Sequence, residues 1–227
     1  MRFEDLNWMD IENSLKIEDR LMLVLGACEQ HAYLSLQTDV RIPLALADAA
    51  SQRTGVLVAP TINFGASPYF LNYPGTISLR LSTFLDVVED ILRSVYHQGF
   101  RKILILNGHG GNDGVRGRLY EVANSLPEIR LSWYAWWTAN SVLDVARKYD
   151  LKPSHANWLE AFPFTRVTEL PTEPKTPPRV PGLMNAATAR QVYGDGSFGG
   201  PYSAPEAVME EIFMAALEDI IQLLTFE

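Results

Sequence analysis

The sequence predicts an α/β fold built on a largely parallel sheet, and three observations carry that expectation. Short unbroken apolar runs recur along the chain, amphipathic helical patterns fall between them, and glycine, proline or asparagine closes the apolar runs. Runs of four to seven apolar residues without alternation are what strands covered on both faces look like. Strand, crossover helix and strand in repetition imply parallel pairing with right-handed crossovers and helices on both faces.

The first run is Leu21-Met22-Leu23-Val24-Leu25, closed by Gly26. Pro43 to Gln52 reads as a helix after a possible start at Asp39. Val56-Leu57-Val58-Ala59 is the second run, ended by Pro60. The clearest helix sets Leu81, Phe84, Leu85, Val88, Leu92 and Val95 on one face, with Asp86, Glu89, Asp90 and Arg93 opposite and Gly99 as its stop. Lys102 to Leu106 is the third run, followed by Asn107-Gly108. Asn112 to Ser125 reads as the next helix, and Leu131 to Trp137 as an aromatic fourth strand. Glu206 to Leu224 closes the chain, with Val208, Ile212, Ala216, Ile220 and Leu224 on one face. Leu170 to Leu183 breaks the rhythm with Pro171, Pro174, Pro177, Pro178 and Pro181, which exclude a helix interior or a central strand. That stretch reads as a stiff surface connection, a lid or an inter-subunit arm. No internal repeat is visible.

The chain has 227 residues, 19 basic and 27 acidic, a net charge of −8, and is 47% hydrophobic. At roughly 100–200 residues per domain, a single domain over 1–227 is expected, with the proline-rich loop 170–183 inside it. The acidic balance disfavours a nucleic-acid or anionic-membrane partner. No stretch is apolar enough for a membrane span, and acids at Glu4 and Asp5 stand where a secretory leader would carry bases. Cys28 is the only cysteine, which excludes a disulfide framework and suits a reducing cytoplasm. A cytoplasmic protein is the expectation.

In a parallel sheet, ligands bind beyond the carboxyl ends of the strands. After the first strand come Glu29-Gln30-His31 and then Thr38-Asp39; after the third comes Asn107-Gly108-His109-Gly110-Gly111-Asn112. Glu29 and His31, at i and i+2 of extended chain, point to one side and can converge on one cation. Alone they also suit a hydrogen-bonded polar pair. Asp39 can bridge metals or cap its helix. Together with His109, these residues make a nitrogen and oxygen set suited to zinc, manganese or iron(II). If Ser154 caps a helix, His155 falls in its first turn and Glu160 about one turn later, where Glu160 can complete a metal shell and His155 can shuttle protons, or both can be ordinary helix-end polar groups. His97 suits the C-terminal end of its helix, and Cys28 suits buried packing. The glycines around His109 lack the lysine of a phosphate loop and the spacing of a dinucleotide site. Gly194-Asp195-Gly196 and Gly199-Gly200-Pro201 read as a turn or pocket rim, and Trp136, Trp137 and Trp158 as core packing or as substrate-stacking walls.

Glu29-Gln30-His31 with Thr38-Asp39, Pro74-Gly75-Thr76-Ile77-Ser78, Asn107-Gly108-His109-Gly110-Gly111-Asn112 and His155-Ala156-x-x-x-Glu160, in that order, resemble the creatininase (creatinine amidohydrolase) family. The resemblance runs from about Leu21 to Glu160. It implies a three-layer α/β/α sandwich with a mostly parallel sheet, a centre of two divalent metal ions, and hydrolysis of carbon–nitrogen amide bonds in small cyclic or formylated substrates. It also implies homo-oligomers, hexamers among them. Carried across, Glu29, His31, Asp39 and His109 match metal-ligand positions, with Asp39 as the bridge. Glu160 and His155 match the glutamate and histidine of the family's last element, with Glu160 either a further ligand or, like His155, a catalytic proton carrier.

The chain departs from the family pattern in several places. His31-Ala32-Tyr33-Leu34 lacks the family's second histidine, Asn157 and Ala161 replace a glycine and a threonine, and Gly111 stands where creatininase proper has a glutamate. These departures leave the metal centre in place and count against creatinine itself as the substrate. They also motivate one alternative, a non-catalytic relative that binds metal or a small ligand. The resemblance adds another, peptide trimming by the same metal chemistry, since some relatives in the family act on modified peptides.

Overall fold

A computed structural model of the chain describes residues 1–180 and 182–227. Its centre is a four-stranded parallel sheet in the order β2-β1-β3-β4, formed by β1 (Arg20–Leu25), β2 (Leu57–Val58), β3 (Lys102–Asn107) and β4 (Arg130–Ala135). The two inner strands pair in register from Arg20↔Lys102 to Leu25↔Asn107. Their side chains are almost wholly buried because helices cover both faces.

Alternation along β1 and β3 divides the core in two. Met22, Val24, Leu104 and Leu106 face one layer, where α2 (Thr38–Thr54), α5 (Asn140–Lys148) and α7 (Glu206–Leu223) pack. Leu21, Leu23, Leu25, Ile103 and Ile105 face the other, built mainly from α3 (Leu81–Gln98) and α4 (Val115–Ser125), with α1 (Trp8–Leu15) at its edge. The result is the three-layer α/β/α sandwich with a parallel sheet that the sequence predicts. A smaller cluster lies outside these layers, where α6 (Ala186–Tyr193) sets Ala189 and Tyr193 against Phe70 and Tyr73.

Several boundaries differ from the sequence reading. The α2 helix begins at Thr38, so Asp39 lies within its first turn and caps nothing. The fourth strand stops at Ala135, and Trp136–Thr138 form one tight 3-10 turn. Ser154 starts no helix. Asn157 instead caps a single 3-10 turn, Trp158–Glu160, by accepting from the Leu159 amide. Three short helices, α1, α5 and α6, carry apolar stripes too brief to stand out in the sequence.

Among the described residues of the proline-rich stretch, Lys175 exchanges two backbone hydrogen bonds with Gly200. Its ammonium donates to the carbonyls of Tyr193 (2.5 Å) and Ser197 (2.7 Å) and to the Asp195 carboxylate. Pro181, the last of the five prolines, lies outside the described residues. No helix among the described residues is long and apolar enough to cross a membrane.

Candidate metal centre

The strand order explains where the site sits. The chain leaves β1 toward β2 on one side, and leaves β3 toward β4 on the other, so the loops after β1 and β3 diverge and open a crevice. Glu29, His31 and Asp39 enter it from the first loop and His109 from the second. All four are buried.

Backbone contacts draw these loops together. Pro43, inside α2, has no amide to offer the carbonyl of Asp39 one turn earlier. Gly108 packs against that carbonyl so closely that a β-carbon there would lie 1.9 Å from it. The contact sets His109 beside Asp39. Asn112, fully buried, then ties three strand ends together. It donates to the Gly26 carbonyl (3.1 Å) and to Asn107 (3.2 Å), and accepts from the Ala66 amide (3.2 Å). The asparagines of the Asn-Gly-His-Gly-Gly-Asn element are braces.

The ring contacts fix which nitrogen of each histidine is free. His31 Nδ1 lies 3.1 Å from the Glu29 carbonyl, and His109 Nε2 lies 3.0 Å from the Ala66 carbonyl. A carbonyl only accepts, so those nitrogens carry the ring protons. The opposite nitrogens both face Asp39, His31 Nε2 at 3.0 Å from Oδ1 and His109 Nδ1 at 3.0 Å from Oδ2. Glu160 Oε1 stands 3.7 Å from the same His31 nitrogen, and Glu29 Oε2 stands 3.5 Å from His109 Nε2. Despite this crowding, Glu29 Oε2, His31 Nε2 and Asp39 Oδ2 have no hydrogen-bond partner. Buried polar atoms are rarely left so, and here they converge.

Ligand-capable atoms fall into overlapping groups within 4.8 Å of one another: Glu29, Asp39 and His109; His31, Asp39 and Glu160; and Glu29, His31 and His155. Without a cation, charge is balanced by protons. Burial disfavours the charged form of both rings, but Asp39 and Glu160 overcome this at His31 and hold its pKa up at about 10. Glu29 and Asp39 do the same at His109, to about 9. Burial favours a protonated Asp39 too, yet the two rings hold it well below the usual carboxylate range. Burial raises Glu160 to about 7, aided by the Asp39 charge and opposed by His31.

His155 belongs to the same floor but differs in character. Gln30 accepts from the Ala32 amide through Oε1 (3.1 Å) and donates through Nε2 to the Gly196 carbonyl (3.2 Å), which fixes its amide orientation. The remaining proton of that amide meets His155 Nε2 at 2.9 Å, so the ring carries its own proton on Nδ1, 3.8 Å from Glu29 Oε1. Phe70 stacks on the ring at 4.9 Å and 15°, and Phe198 packs beside it. Burial, with the nearby His31 charge, pushes its pKa well below the ordinary value and keeps it neutral. Ala32 and Ala156, each directly after a site histidine, hold left-handed backbone at φ of 50° and 51°. Such conformations persist where surrounding structure enforces them.

These groups form the floor of a cavity of about 680 Å³. The ends of the first and third strands do not make the whole site: Trp137 at the end of the fourth is one of the walls the sequence suggests, whereas Ser67 and Phe70 after the second carry no signal of their own in the sequence. The loop after β2 supplies Ser67, whose hydroxyl lies 3.1 Å from His109 Nε2, and Phe70; the turn after β4 supplies Trp137. The same carboxyl-end rule applied to β2 would have found its loop. Trp137 lines the cavity, while Trp136 and Trp158 are core. Cys28 donates to the Gly75 carbonyl at 3.3 Å, and His97 is exposed at the end of α3. The Gly194–Pro201 loop is a rim, through Phe198.

The model of the creatininase family, described as creatinine amidohydrolase, matches residues 4–224. The chain belongs to the creatininase family. A creatinine amidohydrolase of Pseudomonas putida is 34% identical over 115 residues, 48% of this chain and 44% of that protein. A 3-dehydro-scyllo-inosose hydrolase of Thermotoga maritima is 28% identical over 138 residues, 58% of this chain and 44% of that protein. The matched stretches therefore span less than half the length of these curated relatives. A mycofactocin precursor peptide peptidase of Mycolicibacterium smegmatis is 32% identical over 99 residues, 40% of each chain. Among solved structures, a creatininase superposes with a TM-score of 0.82 at 20% identity, covering 98% of this chain and 96% of its own. The manganese form of a creatininase gives 0.77 at 21%, with the same coverage. The creatininase fold is thus shared across nearly the whole chain.

Proposed function

We propose that this chain is a metal-dependent amidohydrolase that cleaves the carbon–nitrogen bond of a small cyclic or formylated amide with a metal-activated water. The observation that carries the reading is the pair of histidines whose tautomers are fixed by backbone carbonyls, leaving one nitrogen of each facing opposite oxygens of the single carboxylate Asp39. With three orphaned buried atoms among the same residues, the floor fits cations. Glu29, Asp39 and His109 would hold one divalent ion and His31, Asp39 and Glu160 the other, with Asp39 shared. The donor set suits zinc, manganese or iron.

Divalent ions in such a pair supply a water acidified toward pKa 7 and a Lewis acid for the amide carbonyl. Glu160 acts as a ligand, since Oε1 turns to the floor while Oε2 is held by the Ala156 amide at 2.6 Å. His155 handles the proton. Gln30 keeps its Nε2 as an acceptor, so Nδ1–H is the donor turned to the leaving nitrogen. Glu29 Oε1, 3.8 Å from Nδ1, would carry there the proton released by the attacking water, so that the leaving nitrogen gains one proton and the ring ends the step neutral. Phe70 and Phe198 shield the ring from water.

The Gly111 departure bears on substrate. A β-carbon there would lie 1.9 Å from the Ala66 carbonyl and 2.5 Å from His109 Nε2, so this loop has no room for the glutamate of creatininase proper. The substrate is accordingly an amide other than creatinine. The whole of 1–227 acts as one creatininase-like domain, and the family resemblance and single cysteine favour a cytoplasmic homo-oligomer, a hexamer being one form.

Elemental analysis and a panel of lactams, hydantoins and formamides test the reading. The protein is expected to hold about two divalent ions per chain and to turn over at least one amide, with Glu29→Gln and His109→Ala losing both properties. Full occupancy and full activity in both variants would refute it. Metal binding without turnover of any amide points to a ligand-binding subunit, and turnover confined to peptides points to the peptide-trimming alternative.

A further inference from the structure

The cavity above the metal floor has walls of a different kind. Leu81 at the start of α3, Leu143 of α5, Trp137, Tyr69 and Phe70 line it together with Phe198. Its acidic and imidazole lining residues are the floor groups Glu29, Asp39, Glu160, His109 and His155, and no lysine or arginine is among the described residues that line it. Away from the floor, a substrate carboxylate or phosphate would meet no cationic side chain on these walls, in a chain of net charge −8. The volume of about 680 Å³ lies within the range of roughly 300–1,000 Å³ usual for ligands of drug size, far more than a lone five-membered ring fills. Apolar walls stabilise a ligand in proportion to the apolar surface it buries.

We infer that this cavity selects amides bearing an uncharged aromatic or branched aliphatic body, which packs between Leu81, Leu143 and Trp137 while the amide meets the floor. The inference deepens the hydrolase reading and rests on it for the position of the scissile bond; the apolar walls are a separate observation.

Two measurements keep the two ideas distinguishable. The first compares acetohydroxamate, 3-phenylpropionohydroxamate and succinic acid monohydroxamate as inhibitors and calorimetric ligands of the metal-loaded protein. All three share one metal-binding head. The phenyl compound is expected to bind at least about tenfold tighter than acetohydroxamate, and the succinate compound no tighter than acetohydroxamate. The second uses the neutral fluorophore N-phenyl-1-naphthylamine on the metal-free protein, where it should bind and brighten. Leu143→Arg should weaken both apolar probes at least about tenfold and bring the succinate compound up; Leu81→Arg, at a position 45% exposed and so tolerant of charge, should act in the same direction. Equal binding of the three hydroxamates, preference for the anionic one, or fluorophore binding unmoved by both variants would overturn the inference. If no hydroxamate binds while the fluorophore binds and both arginine variants expel it, the apolar cavity stands and the metal reading falls.

Discussion

Two polar clusters, one on the loop around Asp195 and one around Asp39 in the first turn of α2, end differently. Around Asp195, Lys175 reaches two carbonyls and the carboxylate, while Tyr202 donates to the other carboxylate oxygen at 2.5 Å and the Ser197 amide donates to the first at 3.1 Å. Every strong group there is answered by another. Around Asp39, with similar ingredients, three buried atoms have no partner and each histidine turns its free nitrogen to the carboxylate. A closed network needs nothing more and rigidifies a loop, whereas an open one is arranged for something the polypeptide lacks. Titratable residues alone do not mark a site. What marks this one is their unsatisfied geometry.

The contrast is broken most severely at Asp39. Asp39→Asn should cut amide turnover at least about a hundredfold and leave little metal by elemental analysis, while the metal-free protein still folds by circular dichroism. A variant that keeps its metal would show that the open cluster is structural after all. Next, His155→Gln should retain metal at wild-type stoichiometry and lose roughly a hundredfold or more in kcat, which separates the proton carrier from the ligands. Lys175→Met probes the closed cluster. It should lower stability by roughly 1–3 kcal/mol in urea titrations without changing metal content. Gly111→Ala tests the brace behind His109. Its methyl would displace the Ala66 carbonyl, weakening metal affinity by roughly tenfold in a competition assay with a chromophoric chelator.

The gentlest test varies pH. His31, His109 and Glu160 all have pKa values raised on folding, to about 10, 9 and 7. Groups with raised values bind protons more tightly in the folded state, so their contribution to the metal-free protein is full at low pH and is lost as pH rises through about 4 to 10. Cations compete with those protons, so the Tm gap between metal-loaded and metal-free protein should widen steadily from pH 6 to 9. A gap that narrows over that range would contradict the assignment of these residues as ligands.

The layered fold was legible because unbroken apolar runs ending in Gly26, Pro60 and Asn107-Gly108 leave few other ways to bury themselves. Glu29, His31, Asp39 and His109 were legible because parallel strands put their following loops at one edge. Ser154 misled because Pro153-Ser154 looks like a helix start, while the chain there is shaped by Asn157, whose amide donates to the Lys152 and Gly199 carbonyls. The second partner lies 42 residues away in sequence and leaves no local trace. The same holds for the walls. Phe70, Trp137 and Phe198 come from three separate loops, and only their meeting makes a cavity.

Gln30 lies between two floor residues yet reaches the other way, to Gly196 and His155. Three consecutive residues thus work like a key cut on both edges, one edge for ions and one for a ring. Inserting or deleting a single residue in this stretch would swap the edges. Its length is therefore as much a part of the chemistry as the identity of its side chains.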